Sequence, residues 1–91
     1  MLPYHTYVLY SLRDNRLYIG YSSQVEKRIQ QHYNGEVVST KHRRPLKLIY
    51  YESHLSARDA IRREKYFKTA SGKRTLKLML RDTLDKQTDG M

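Results

Sequence analysis

The sequence predicts an α+β domain, a small sheet with helices packed on it, and three observations carry that reading. Two runs rich in β-forming residues, 6–12 and 17–21, flank a four-residue turn near the N-terminus. A third such run, 46–51, follows a proline. Between and after these runs lie three segments with helical periodicity and with cap or stop residues at their ends, 24–33, 57–69 and 73–84. The order is β-β-α-β-α-α, in which the helices have one small sheet to cover.

Each element has a local reason. Thr-Tyr-Val-Leu-Tyr-Ser-Leu (6–12) and Leu-Tyr-Ile-Gly-Tyr (17–21) are joined by Arg13-Asp14-Asn15-Arg16, whose Asp and Asn tolerate tight backbone geometry, so the pair reads as an antiparallel hairpin. Ser22-Ser23 offers an N-cap to the first helix, with Glu26 in reach of its first turn, and Asn34-Gly35 stops it. Residues 36–44 are polar and read as a loop. Ser56 is the expected cap of the second helix, and Ala70-Ser71-Gly72 the expected break after it. In the third helix Leu76, Met79, Leu80 and Leu84 fall on one face at i, i+3, i+4 and i+8. Residues 1–85 are expected to form a single domain and 86–91 a frayed tail.

Composition narrows the function. A chain of 91 residues has room for one small core. It holds no Cys, which excludes disulfide frameworks, thiolate metal sites and Cys nucleophiles. No apolar run approaches the roughly 20 residues of a membrane span. The N-terminal Met1-Leu2-Pro3-Tyr4-His5 lacks the basic start and apolar run of a secretory signal, so the expected compartment is cytoplasmic. Eighteen Lys and Arg against nine Asp and Glu leave a formal charge of +9, a field that favours polyanions. Nine Tyr beside one Phe and no Trp favour wet, half-buried aromatic surfaces. A ribosome-like structural protein with solvated cations also fits the composition.

Two helices carry polar residues where a core face is expected. In the first, the apolar stripe is Val25, Ile29 and the edge of Tyr33, and Arg28 and His32 lie beside or within it, one turn apart. The bland alternative is an Arg that pairs with a carboxylate and a satisfied core histidine. In the second, Ala57, Ala60, Ile61 and Phe67 form the apolar face, and Glu64 falls in its middle. An i, i+4 pair with Lys68 is the bland account. When exposed, such a pair is worth about half a kcal/mol, too little to explain an acid aimed at a core. A carboxylate facing a cleft in a basic protein can instead hold a divalent cation. One carboxylate is too few for a two-metal nuclease. One metal with an Arg, a His and Tyr hydroxyls suffices for phosphodiester hydrolysis, since cations neutralise charge on the phosphoryl oxygens and a phenol or imidazole takes a proton from water.

The order of these residues resembles the GIY-YIG nuclease family, and most closely its small single-domain members. The resemblance rests on Tyr7-Val8-Leu9-Tyr10-Ser11-Leu12, Leu17-Tyr18-Ile19-Gly20-Tyr21, and the helix from Glu26 through His32 to Gly35. It continues through Ser39-Thr40, Arg44-Pro45, Leu48-Ile49-Tyr50-Tyr51-Glu52 and the segment from Ala60 to Lys68, so it spans about residues 6–77. It implies a three-stranded antiparallel sheet flanked by helices, and single-metal cleavage of DNA in repair or processing. Carried over by position, the catalytic residues are Tyr7, Tyr18, Arg28, His32 and Glu64. Tyr7 is then the general base, its phenolate favoured by nearby positive charge. Tyr18 orders water or phosphate, Arg28 and His32 hold the scissile phosphate, and Glu64 holds Mg²⁺ or Mn²⁺. Gly20 permits close backbone approach near Tyr18. Two departures stand out. Only the Tyr of the first motif is kept in His5-Thr6-Tyr7, and no Asn follows Asn34, whereas larger members place one after the Glu.

Two basic clusters complete the reading. Lys41, Arg43, Arg44 and Lys47 contain no acid among them, and Arg62, Arg63, Lys65, Lys68 and Lys73 surround Glu64 alone. On a nuclease scaffold they are expected to contact phosphates without reading sequence. The partner is expected to be DNA, with RNA open, no membrane, and a monomeric protein. The alternative is a non-catalytic DNA- or RNA-binding module that keeps the fold.

Overall fold

The structure, a computed structural model, describes residues 1–89. Strand β1 (Tyr4–Ser11) and strand β2 (Leu17–Ser22) form the hairpin, followed by helix α1 (Val25–Tyr33). A single 3₁₀ turn, Lys41–Arg43, interrupts the loop before strand β3 (Leu46–His54). Helices α2 (Ala57–Lys68), α3 (Ala70–Met79) and α4 (Arg81–Asp89) complete the chain. The α+β class and the three-stranded antiparallel sheet are as expected, with strand order β2-β1-β3.

Because β1 is central, it is covered on both faces, and every residue of it after Tyr4 is buried. Alternation along the strand divides these residues between two cores. Val8 joins Ile19, Phe67, Leu76 and Leu80 under α2, α3 and α4. Tyr7 and Leu9 join Ile29 and Leu46 under α1, with Tyr18, Val25 and Leu48 packed against them. Tyr7 and Tyr18 therefore share the face that α1 covers. Register sets Tyr7 opposite Gly20 on β2 and opposite Tyr51 on β3. On the β3 side the register shifts between Val8 and Leu9, whose partners are Tyr50 and Leu48, so Ile49 bulges out of the ladder.

Several local expectations are corrected. The third helix is not one element over 73–84: α3 ends at a C-cap on Leu80 and α4 begins at Arg81. Leu76 and Leu80 are buried and Leu84 packs beside them, whereas Met79 is 44% exposed. Ala70-Ser71-Gly72 does not break the chain but forms the first turn of α3. Thr69 caps it by accepting from the Gly72 N–H at 3.0 Å, while its own hydroxyl donates to the Tyr66 carbonyl at 2.6 Å. Gly72 is there for space, since a Cβ on it would run into that carbonyl. Ser23 does not cap α1: the N-cap is Gln24, and Ser22 accepts from the Gln24 N–H at 2.9 Å. Ser56 holds the N-cap position of α2 without a side-chain hydrogen bond. Helix α4 runs to Asp89, and Gly90 and Met91, the end of the 86–91 tail, lie outside the described residues. The stop of α1 is as expected, with Gly35 at φ +79° after an Asn34 C-cap.

Candidate active site

The site begins with a gap in β2. Gly20 lies directly opposite Tyr7, and a Cβ on it would overlap the hydroxyl end of the Tyr7 ring. The missing side chain is what lets the phenol lie across the neighbouring strand. Sequence reading placed this close approach at Tyr18; the structure places it at Tyr7. The ring is 1% exposed, and its hydroxyl meets His32 Nε2 at 2.8 Å.

His32 reaches Tyr7 because α1 lies over this face with Ile29 buried against the sheet, one helical turn before His32. The imidazole has no exposed surface. Its Nδ1 lies 2.8 Å from the Thr40 hydroxyl, which is also fully buried. The Tyr18 ring packs edge-on against it, with centroids 5.0 Å apart, and the Tyr7 ring does so at 5.6 Å. His32 is thus a satisfied core histidine, and its partner is the tyrosine of the first motif.

Arg28 is half-buried one turn before His32, donates to Gln31 Oε1 at 3.3 Å, and acts on the Tyr7 hydroxyl through its charge and a hydrogen bond. Among the described residues it forms no ion pair with a carboxylate. Glu64 projects from α2, and its negative charge acts on Tyr7 in opposition to Arg28. Its side chain is 20% exposed, and it accepts from Lys68 Nζ at 3.2 Å. The ion pair expected from spacing therefore exists, and Lys68 is half exposed.

The electrostatics correct one expectation. Tyr7 is not poised as a phenolate: its pKa is pushed up to about 12, burial and the neighbouring Tyr18 outweighing the pull of Arg28. His32 moves the other way, to about 4, because burial and then Arg28 disfavour its cation. At neutral pH the pair is a neutral phenol on a neutral imidazole.

Among the described residues, no group of three His, Asp or Glu side chains could cage a metal. Glu64 could offer one hard, partly exposed oxygen ligand, its partner Lys68 being half exposed. That donor set fits Mg²⁺ or Mn²⁺, which keep most of their waters and bind through one or two carboxylates together with substrate phosphate. Tyr18, Arg28 and Glu64 are partly exposed, whereas Tyr7 and His32 are buried. A cavity of about 830 Å³ runs along α1, lined by Val25, Ile29, Tyr33 and Leu48, and holds none of them.

The basic residues divide. Arg63 grips Glu52 with two bonds at 2.7 and 3.0 Å and lies 4.3 Å over the Phe67 ring. Glu52 also accepts from Tyr50 and meets His54, so Arg63 clamps α2 onto β3. Arg43 is bound to Asp14 at 2.7 Å, and Arg62 to Asp59 at 2.9 Å. Lys41, Arg44, Lys47, Lys65 and Lys73 are exposed and form no ion pair among the described residues. Arg44 and Lys41 line one cavity with Arg13 and Tyr33, while Lys73 and Lys77 line another with Arg16 and Arg43. The residue that sequence reading missed is Thr40. Ser39-Thr40 belongs to the family resemblance, but nothing in a polar loop signals a buried contact eight residues back.

A model of the GIY-YIG catalytic domain matches residues 3–77. A UPF0213 protein of Staphylococcus saprophyticus is 40% identical over 76 residues, covering 82% of this chain and 93% of its own. The UPF0213 protein of Limosilactobacillus reuteri is 39% identical over 85 residues, covering 90% and 88%. UPF0213 protein YazA of Bacillus subtilis is 37% identical over 71 residues, covering 77% and 72%. No solved structure matches.

Proposed function

The chain belongs to the GIY-YIG catalytic domain family, and from that premise we propose that it is a divalent-metal-dependent endonuclease that hydrolyses DNA phosphodiester bonds, in repair or processing. The observation that carries this reading is the phenol–imidazole contact of Tyr7 and His32, 2.8 Å long, with Tyr18, Arg28 and Glu64 around it. The formal charge of +9 supports a polyanionic substrate, to which the partly exposed Tyr18, Arg28 and Glu64 are open. No helix among the described residues is long and apolar enough to cross a membrane.

In the mechanism, the oxygen of a water attacks phosphorus as the P–O bond to the leaving sugar oxygen breaks. The water proton passes to the Tyr7 oxygen while the Tyr7 proton passes to His32 Nε2. A phenol with a pKa of about 12 cannot wait as a phenolate at neutral pH, so a base role for Tyr7 needs this handover to a neutral imidazole. Arg28 offsets the negative charge that grows on the phosphoryl oxygens. Tyr18 offers a hydroxyl to the phosphate or the water. The leaving oxygen takes its proton from solvent. A Mg²⁺ or Mn²⁺ ion held by Glu64 would supply further charge neutralisation at the phosphate.

One observation favours a second reading, a DNA- or RNA-binding module without turnover: the single carboxylate of the site is engaged by Lys68. A cleavage assay with Mg²⁺ or Mn²⁺ on duplex, single-stranded, flap and branched DNA, and on RNA, separates the two. Nicks that EDTA suppresses support the nuclease. Salt-sensitive binding with no product on any substrate supports the module.

A further inference from the structure

The loop that carries Lys41 and Arg44 outward also carries one side chain inward. Thr40 is the last residue before the 3₁₀ turn, it has no exposed surface, and its hydroxyl is 2.8 Å from His32 Nδ1. Backbone bonds hold it there: its N–H donates to the Val37 carbonyl at 3.1 Å, and its own carbonyl accepts from the Arg43 N–H at 2.8 Å. Val37 is itself buried, which anchors the loop.

We propose that Thr40 is a positioning residue that fixes the tautomer of His32, holding the proton on Nδ1 so that Nε2 faces Tyr7 as an acceptor. The proposal rests on the reading that His32 receives the Tyr7 proton. A neutral imidazole has one N–H and one bare nitrogen, and the partner of one nitrogen decides the state of the other. In a free histidine side chain the proton favours Nε2. With the proton there, His32 would be a donor towards Tyr7 and could not take its hydrogen. A hydroxyl oxygen at Nδ1 reverses that preference by accepting from Nδ1–H. It stays an acceptor when the ring becomes an imidazolium, so the proton handover needs no movement of the ring.

Burial makes the choice a stiff one. Neither His32 nitrogen reaches water, and each has one described polar partner. Loss of the Thr40 oxygen leaves Nδ1 with none, and a buried unpaired N–H is costly. The ring then gains by moving its proton to Nε2 or by turning over, and either change removes the acceptor that Tyr7 needs.

The test is ¹⁵N NMR of the imidazole in the intact protein at neutral pH, together with single-turnover cleavage by Thr40→Val and Thr40→Ser. The wild type should show the Nδ1–H tautomer. Thr40→Val keeps the shape, removes the oxygen, and should move the ring to Nε2–H. Its cleavage rate constant should fall about tenfold to a hundredfold at unchanged DNA affinity, the range usual for the outer partner of a working histidine. Thr40→Ser should restore both. An Nε2–H signal in the wild type overturns the proposal even if the enzyme cleaves normally. So does a Thr40→Val protein with the wild-type tautomer and rate. If Thr40→Val does not fold, the wild-type tautomer and the Thr40→Ser rate still decide. Absence of cleavage in the wild type counts against the nuclease reading and leaves the tautomer measurement intact.

Discussion

The hydroxyl end of Tyr7 occupies the space that a side chain on Gly20 would fill. A Cβ there would come within 2.8 Å of Tyr7 Cε2, and closer still to Cζ and the hydroxyl oxygen. Such separations are not tolerated, so the glycine of the second strand and the tyrosine of the first make a single device. Gly20→Ala should force the phenol away from His32. Overpacking of this kind costs about 1–3 kcal/mol, to be read from urea denaturation. Cleavage should fall by more than the loss of folded protein explains, on the order of a hundredfold, because a displacement of about 1 Å at reacting groups has that effect. A Gly20→Ala enzyme with wild-type activity would show that the Tyr7–His32 contact is not used.

Tyr7 and Tyr10 lie three apart on β1 and point to opposite faces. Tyr7 faces α1 and bonds to His32, whereas Tyr10 donates to Asn15 Oδ1 in the hairpin turn at 3.0 Å. Tyr7→Phe keeps the ring and removes the oxygen, and cleavage should drop by a factor on the order of 10² to 10⁴. Tyr10→Phe should leave cleavage unchanged and lose about 1 kcal/mol of stability with its hydrogen bond. Equal losses in both variants would mean that the phenol acts only through packing.

Glu64→Gln keeps the volume and removes the charge. Metal-dependent cleavage should be lost, and DNA affinity should hold or rise slightly as a negative charge goes. The broken pair with Lys68 is half exposed on the lysine side, so its loss should cost no more than about half a kcal/mol. Because a single carboxylate binds Mg²⁺ weakly without phosphate, titration calorimetry should detect metal only when uncleavable DNA is present. Wild-type cleavage by Glu64→Gln would leave the Lys68 pair as the whole role of this residue.

How far these features could be read from sequence depends on their range. The hairpin turn, the Asn34-Gly35 stop and the three strands are local, and each was legible from its own residues. Gly72 misled because glycine has two uses. It was read as a helix breaker, and it serves close approach to the Tyr66 carbonyl instead, with Thr69 capping the turn it belongs to. Glu64 and His32 were visible as polar residues on apolar faces, which is a local anomaly. What they touch was not: Tyr7 and His32 are 25 residues apart, and Glu52 and Arg63 meet only because β3 packs under α2. Charge alone likewise could not separate Arg63, which is tied to Glu52, from Lys65, which is exposed and forms no ion pair among the described residues.

That division predicts different fates for neighbouring cations. Arg63→Ala strips two hydrogen bonds from Glu52, whose side chain is 16% exposed, and should cost about 1–3 kcal/mol by chemical denaturation. Lys65→Ala should leave stability unchanged and weaken DNA binding. If about five phosphates are neutralised in the wild type, the plot of log K against log salt should have a slope near −4 to −5. Lys65→Ala should then lower its magnitude by about 1. A salt slope near zero in the wild type would remove nucleic acid from the reading altogether.

His32 should also mark itself in the pH dependence of stability. Burial and Arg28 hold its pKa near 4, whereas in the unfolded chain it is about 6.5. Between those values the unfolded chain binds a proton that the folded one refuses, so acid favours unfolding. The contribution is therefore complete above pH 6.5, shrinks as the pH falls towards 4, and changes no further below that. The shift corresponds to a loss on the order of 3 kcal/mol across the window. Asp14, which Arg43 holds at about 2 from an ordinary 3.8, titrates below it and does not mimic the effect. Urea denaturation at pH 7.5, 5.5 and 4.5 should show the decline in the wild type, and His32→Gln, less stable at pH 7.5, should lack most of the slope. Cleavage should follow the same group, with an acid limb in single-turnover rate near pH 4 and no inflection near neutrality, since the phenol of Tyr7 stays protonated to about pH 12. An acid limb at pH 6.5 would place His32 in contact with water and dissolve the buried relay.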